Sequence, residues 1–66
     1  MNKMKQYREE LNLTQRELAY KLNVDSTRIS KIENTGKCSL QIAYCISKIL
    51  KHSIEEIFFP DEETKK

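Results

Sequence analysis

The residues of this chain best suited to chemistry stand on one face of one short segment. Between residues 26 and 34, Thr27, Ser30, Lys31 and Asn34 carry hydroxyl, amine and amide groups. On a helix that advances about 100° per residue from Ile29, these four fall between about 100° and about 200°, while Ile32 and Glu33 fall on the Ile29 side. Hydroxyls, amines and amides are the donors and acceptors that read base edges and bind phosphates. A face that merely meets solvent more often carries Glu and Lys pairs. No competing chemistry assembles elsewhere. His52 has no Ser, Cys or carboxylate arranged with it as a nucleophile and base, and no Gly-rich phosphate loop is present, so an enzyme is not expected. Cys38 and Cys45 form no CxxC pair and His52 is the lone histidine, so neither a zinc site nor a disulfide scaffold is expected, and no cofactor is implied.

A reading face must be held by other elements, and the chain supplies them as short amphipathic helices. With one Gly, one Pro and almost no period-2 alternation, the fold class is all-α. A first helix runs from Lys3 to Glu10, with Asn2 as its N-cap and Met4, Tyr7 and Leu11 on its inner side. Thr14 and Glu17 make the Thr-x-x-Glu capping box of a second helix that reaches Leu22 and buries Leu18, Ala19 and Leu22. Asn23, tolerant of a left-handed backbone, and Val24 make a very short turn. Asp25 then caps the third helix, Ser26 to Asn34, whose apolar residues are only Ile29 and Ile32, so it is expected at the margin of the core. Thr35 and Gly36 break it. Ser39 caps a fourth helix with Leu40, Ala43, Ile46 and Leu50 inward, Ser53 begins a fifth, and Pro60 stops that last one. Two helices joined by a tight turn, the second poor in core residues, is the arrangement that places a helix in the major groove of DNA.

Length and charge bound the rest. Sixty-six residues make one domain, expected over 1–60 with a charged tail at 61–66. A domain this short buries only about 60% of the surface of its unfolded chain. No long apolar run or secretory signal is present, which points to a cytoplasmic protein without a membrane partner or an evident small-molecule ligand. The net charge of +2 is uneven: residues 1–37 hold eight basic and five acidic residues, and residues 38–66 hold four basic and five acidic. A phosphate-binding surface belongs to the first part, and the acidic tail Asp61, Glu62, Glu63 is expected away from DNA. An ordinary solvated mixture of charges explains the balance equally well.

The stretch LNLTQRELAYKLNVDSTRISKIEN resembles the core motif of the phage Cro and repressor type helix-turn-helix family. The resemblance covers residues 4 to 59 in a compact five-helix order and is carried by Leu13-Thr14-Gln15, Glu17-Leu18-Ala19, Ile29-Ser30 and Ile32-Glu33-Asn34. It implies a sequence-specific DNA-binding transcriptional regulator of bacterial or phage type, a repressor by the commonest pattern, with residues 26–34 as the recognition helix. By the same resemblance Ser26, Thr27 and Lys31 contact bases with Ser30 beside them, Gln15 and Asn34 contact phosphate, and Arg28 and Lys37 add further phosphate contacts. Gln15 also suits phosphate on physical grounds, since it lies in the first turn after a cap, where free backbone N–H groups and the helix dipole attract an anion. In the family the positions of Arg8 and Glu33 form an internal salt bridge. Glu33 falls on the inner side, where a carboxylate needs a partner, and Arg8 is the nearest inward-facing cation by pattern. The chain departs from the family in two places: Asn23 stands where glycine is usual, and the 35–39 loop that carries Lys37 is about one residue shorter and lacks the usual proline. The same fold can instead serve protein interaction, as in an antitoxin.

The fifth helix suggests an oligomer. Ile54, Ile57 and Phe58 share one stripe, while Phe59 falls at about 140° from Ile54 and points away from its own core. With Ile49 near the edge of the fourth helix's stripe, Phe59 marks a homodimer surface. The alternative is that Phe59 folds back over the core. One recognition helix touches few base pairs, and regulators of this type place two such helices about 34 Å apart on a two-fold symmetric, palindromic operator.

Overall fold

The polar residues that begin and end each helix set the architecture. In the computed structural model, which describes residues 2–60, five helices follow in the order α1 (Met4–Glu10), α2 (Gln15–Leu22), α3 (Ser26–Thr35), α4 (Leu40–Leu50) and α5 (Ile54–Phe58), with no strand among the described residues. Thr14 accepts from the Glu17 backbone N–H while the Glu17 carboxylate accepts from the Thr14 N–H, so the capping box closes both ways. Ser39 caps α4, and Ser53 with Glu56 forms a second reciprocal box at α5. Helix exits use left-handed residues: Asn23 at φ 61° after α2, Gly36 at φ 72° after α3 and Lys51 at φ 64° after α4. Val24 N–H donates to the Ala19 carbonyl at 3.0 Å, which closes α2 in a 6→1 turn and swings the chain directly into α3. The acidic tail 61–66 lies outside the described residues.

The core is a single cluster of Met4, Leu18, Ala19, Ile29, Ile32, Ile46, Leu50 and Ile57. Both isoleucines of α3 are fully buried, so the helix expected at the margin drives its only two apolar side chains into the centre. Five other expectations are corrected. Asn2 does not occupy the cap position of α1, which is Lys3; its side chain instead accepts from Met4 N–H at 3.0 Å and donates to the Ile32 carbonyl at 3.0 Å, tying the start of α1 to the end of α3. Asp25 holds the N-cap position of α3 without a side-chain bond to the helix, and α3 runs one residue further, through Thr35, whose hydroxyl donates back to the Lys31 carbonyl at 2.8 Å. Leu11 is 38% exposed because the chain has already left α1 for the left-handed Asn12. Leu40, in the first turn of α4, is 77% exposed, since the inward stripe begins a turn later with Ala43. Lys3 N–H donates to the Ile57 carbonyl at 2.8 Å, which brings the two ends of the domain together.

Candidate nucleic-acid interface

The outer side of α3 presents the polar set that its periodicity implies. Thr27, Arg28, Lys31 and Asn34 are exposed, and Ser26 and Ser30 are half-buried. Asn23, Val24, Asp25, Thr27, Arg28 and Lys31 line one open, mostly polar concavity along the turn and the first half of α3. With no side chain capping α3, its first turn offers backbone donors to a ligand, and an anion there meets the positive end of the helix dipole. Lys37 is exposed at the start of the following loop, where its N–H donates to the Thr35 hydroxyl at 3.2 Å. Arg28 lies on the flank of α3 within electrostatic reach of Cys38. Partial burial pushes the Cys38 thiol up from its ordinary value, and the Arg28 guanidinium opposes that rise.

Behind this face, α1, α2 and α3 meet at a buried ion pair. Arg8 Nε donates to Glu33 Oε2 at 2.6 Å with both side chains under a tenth exposed. Arg8 Nη1 donates to the Leu13 carbonyl at 2.6 Å, fixing the link between α1 and α2. Gln15 Nε2 donates to the other carboxylate oxygen, Glu33 Oε1, at 3.0 Å. Gln15, expected to face phosphate alone, also bonds a buried side chain of α3. The structure thus joins Arg8, Gln15 and Glu33 in one group, spreads Ser26, Thr27, Ser30, Lys31 and Asn34 along the helix in front of it, and sets Lys37 apart on the loop.

Comparison with known proteins decides the family. A family model described as "Helix-turn-helix" matches residues 4–57, which spans all of α1–α4 and most of α5. The chain belongs to the helix-turn-helix family. Among relatives of this helix-turn-helix protein, an uncharacterized HTH-type transcriptional regulator of Methanocaldococcus jannaschii is 44% identical over 64 residues, covering 94% of this chain and 96% of the relative. Another from Archaeoglobus fulgidus is 40% identical over 63 residues, covering 92% and 87%. The family assignment makes the chain a DNA-binding transcriptional regulator and not an enzyme. Both of these relatives are archaeal.

His52 stacks on Tyr7 with ring centroids 3.6 Å apart, its Nδ1 lying 3.3 Å from Glu56 and its Nε2 3.7 Å from Glu10, so carboxylates do surround the histidine that the sequence left alone. The group ties α1 to the α4–α5 corner. Among the described residues no cluster of His, Cys, Asp and Glu suits a metal ion, and no helix is long and apolar enough to cross a membrane.

Proposed function

We propose that this helix-turn-helix protein is a cytoplasmic repressor that binds a palindromic operator as a homodimer, reading bases with Ser26, Thr27, Ser30 and Lys31 and gripping phosphates with Gln15, Arg28, Asn34 and Lys37. The observation that carries the reading is the division of α3: two isoleucines fully buried on one side, and hydroxyl, amine and amide groups on the other. Bidentate or hydroxyl contacts to base edges need donors and acceptors on a rigid helix, and α3 is held rigid from behind. Homodimerisation is supported by Phe59, 53% exposed, and by Leu40, which shares one shallow apolar groove with it, alongside Cys38, Ala43, Ile54 and Phe58. Ile49 is half-buried and packs against the core, so it contributes from the edge of that surface. Two copies joined there would offer two reading helices to successive turns of the major groove.

Titration on random duplex across a salt series, followed by selection of bound sequences, tests the proposal. A DNA binder loses affinity with a log–log slope of about −0.9 per neutralised phosphate. On the selected site, Thr27→Ala and Lys31→Ala are expected to relax discrimination at particular base pairs by about 1–3 kcal/mol. Absence of salt-dependent duplex binding sinks the DNA reading, and uniform losses at every base pair sink the assignment of these two residues as readers.

A further inference from the structure

Glu33 is more than the partner of Arg8. A buried carboxylate has two oxygens and about four lone-pair sites to satisfy. Arg8 Nε takes Oε2, and Gln15 Nε2 takes Oε1. Gln15 is the first residue of α2, half-buried, and an amide nitrogen carries two N–H groups, so one is held by Glu33 and one is left. Glu33 in turn lies near the end of α3, one residue before the exposed Asn34. A single carboxylate therefore fixes the amide at the head of α2 relative to the helix that carries the reading face. Its charge, which alone would repel DNA, is already neutralised from behind by the guanidinium.

We propose that Glu33 is a positioning residue for DNA binding: with Arg8 on one oxygen, its other oxygen pre-orders the Gln15 amide so that the remaining Gln15 N–H is presented to a backbone phosphate in fixed register with α3. The proposal rests on the DNA-binding reading above. Its physical content is preorganisation. A free glutamine side chain must be ordered when it binds, and fixing it in advance removes a cost that amounts to about tenfold in affinity. The anchor and the readers then move as one body, because both hang on the same carboxylate.

Glu33→Gln tests this, since a glutamine there offers one acceptor oxygen and one donor nitrogen and cannot accept from both Arg8 and Gln15 on separate oxygens. Operator titrations are run on wild type, Gln15→Ala, Glu33→Gln and the double variant, far below each melting midpoint. Each single variant is expected to bind about tenfold more weakly on every duplex alike, with an unchanged salt slope because a neutral amide releases no counterion, unchanged preference among base pairs, and no further loss in the double variant. A purely structural Glu33 would move the melting midpoint, and its loss of binding would add to that of Gln15→Ala in the double variant. Losses that multiply in the double variant, or a Glu33→Gln protein that binds like wild type, overturn the role of Glu33 while leaving the DNA reading intact. Wild type without salt-dependent duplex binding overturns both. Should Glu33→Gln not fold, side-chain ¹⁵N relaxation of Gln15 in the free wild-type protein decides: an order parameter near the rigid value of about 0.85 supports the pre-ordered amide, and one below about 0.6 overturns it.

Discussion

Removing Arg8 should destabilise this domain as much as truncating one of its fully buried apolar side chains. The Arg8 and Glu33 side chains are 7% and 5% exposed, so the pair is shielded from water and salt. In Arg8→Ala the Glu33 carboxylate keeps only the Gln15 amide, and the Leu13 carbonyl loses the guanidinium bond. Breaking a buried pair from one side costs about 3–5 kcal/mol, most of it the desolvation of the charge left behind. A domain of this size has a total stability of about 3–10 kcal/mol. The loss is therefore about a third of the total at the least. At about 4–8 °C per kcal/mol for a domain this small, the midpoint falls by about 12 °C at the least. Thermal melting followed by circular dichroism measures it. As a control, Arg8→Met with Glu33→Met removes both charges and should recover much of the lost midpoint, because no uncompensated carboxylate remains. A midpoint for Arg8→Ala within a few degrees of wild type refutes the reasoning, and so does a double variant no more stable than the single one.

Three further outcomes follow from other parts of the fold. Gly36→Ala places a Cβ-bearing residue at φ 72°, 3.4 Å from Asn2 Nδ2, and should destabilise by about 1–2 kcal/mol in a denaturant titration with unchanged m; an unshifted midpoint rejects this. The Glu56 carboxyl is held below its ordinary value of 4.5, chiefly by the Ser53 backbone N–H, against the opposing pull of partial burial and with help from His52. A folded-state value below the unfolded one means that the ionised carboxylate adds stability above pH 4.5, which is lost as the pH falls through the folded-state value. Glu56→Gln should accordingly flatten the acid arm of a stability-against-pH curve, and parallel arms in the two proteins contradict it. Sedimentation of Leu40→Ser and Phe59→Ser should show monomers at concentrations where wild type is dimeric, since both side chains line one exposed apolar groove; dimers that persist in both variants place the interface elsewhere.

The parts of this fold legible in the sequence are those fixed by local chemistry. Thr14 and Glu17 announce the start of α2 because a capping box needs only residues three apart, and Asn23 announces its end because few residues other than glycine accept a left-handed backbone. The all-α class and the split face of α3 follow from periodicity alone. What escaped was set by tertiary context. Leu40 fits the apolar stripe of α4 by angle, yet the neighbouring helices pack against its later turns and leave it exposed. Lys51 takes the left-handed exit that composition would assign to Gly or Asn, because the His52 N–H then reaches the Ser47 carbonyl at 3.3 Å. The second capping box, Ser53 with Glu56, was open to the same reasoning that found the first, and the Ser-x-x-Glu spacing was its signal. The Gln15 bond to Glu33 was beyond reach, since it joins residues 18 apart through a geometry that no local rule supplies.

The way α3 is held explains how so polar a helix can be a rigid reader. Ordinary amphipathic helices secure themselves with an apolar stripe of three or four residues per two turns. α3 has two, Ile29 and Ile32, and its remaining surface is reserved for hydrogen-bonding groups. Burial of two isoleucines contributes about 3–6 kcal/mol, too little to fix both the tilt and the rotation of a ten-residue helix. The deficit is met by directional bonds from other elements clustered near its C-terminal half: Asn2 Nδ2 on the Ile32 carbonyl, and Arg8 and Gln15 on the Glu33 carboxylate. Apolar contact is indifferent to small rotations, whereas a guanidinium and an amide on two oxygens of one carboxylate are not. The N-terminal half, by contrast, begins without a side-chain cap and carries Ser26 and Thr27, so it keeps donors that the proposed reading assigns to DNA. Fixing one end with polar bonds and leaving the other end open gives a helix whose orientation is set before DNA arrives and whose first turns remain free to bond it.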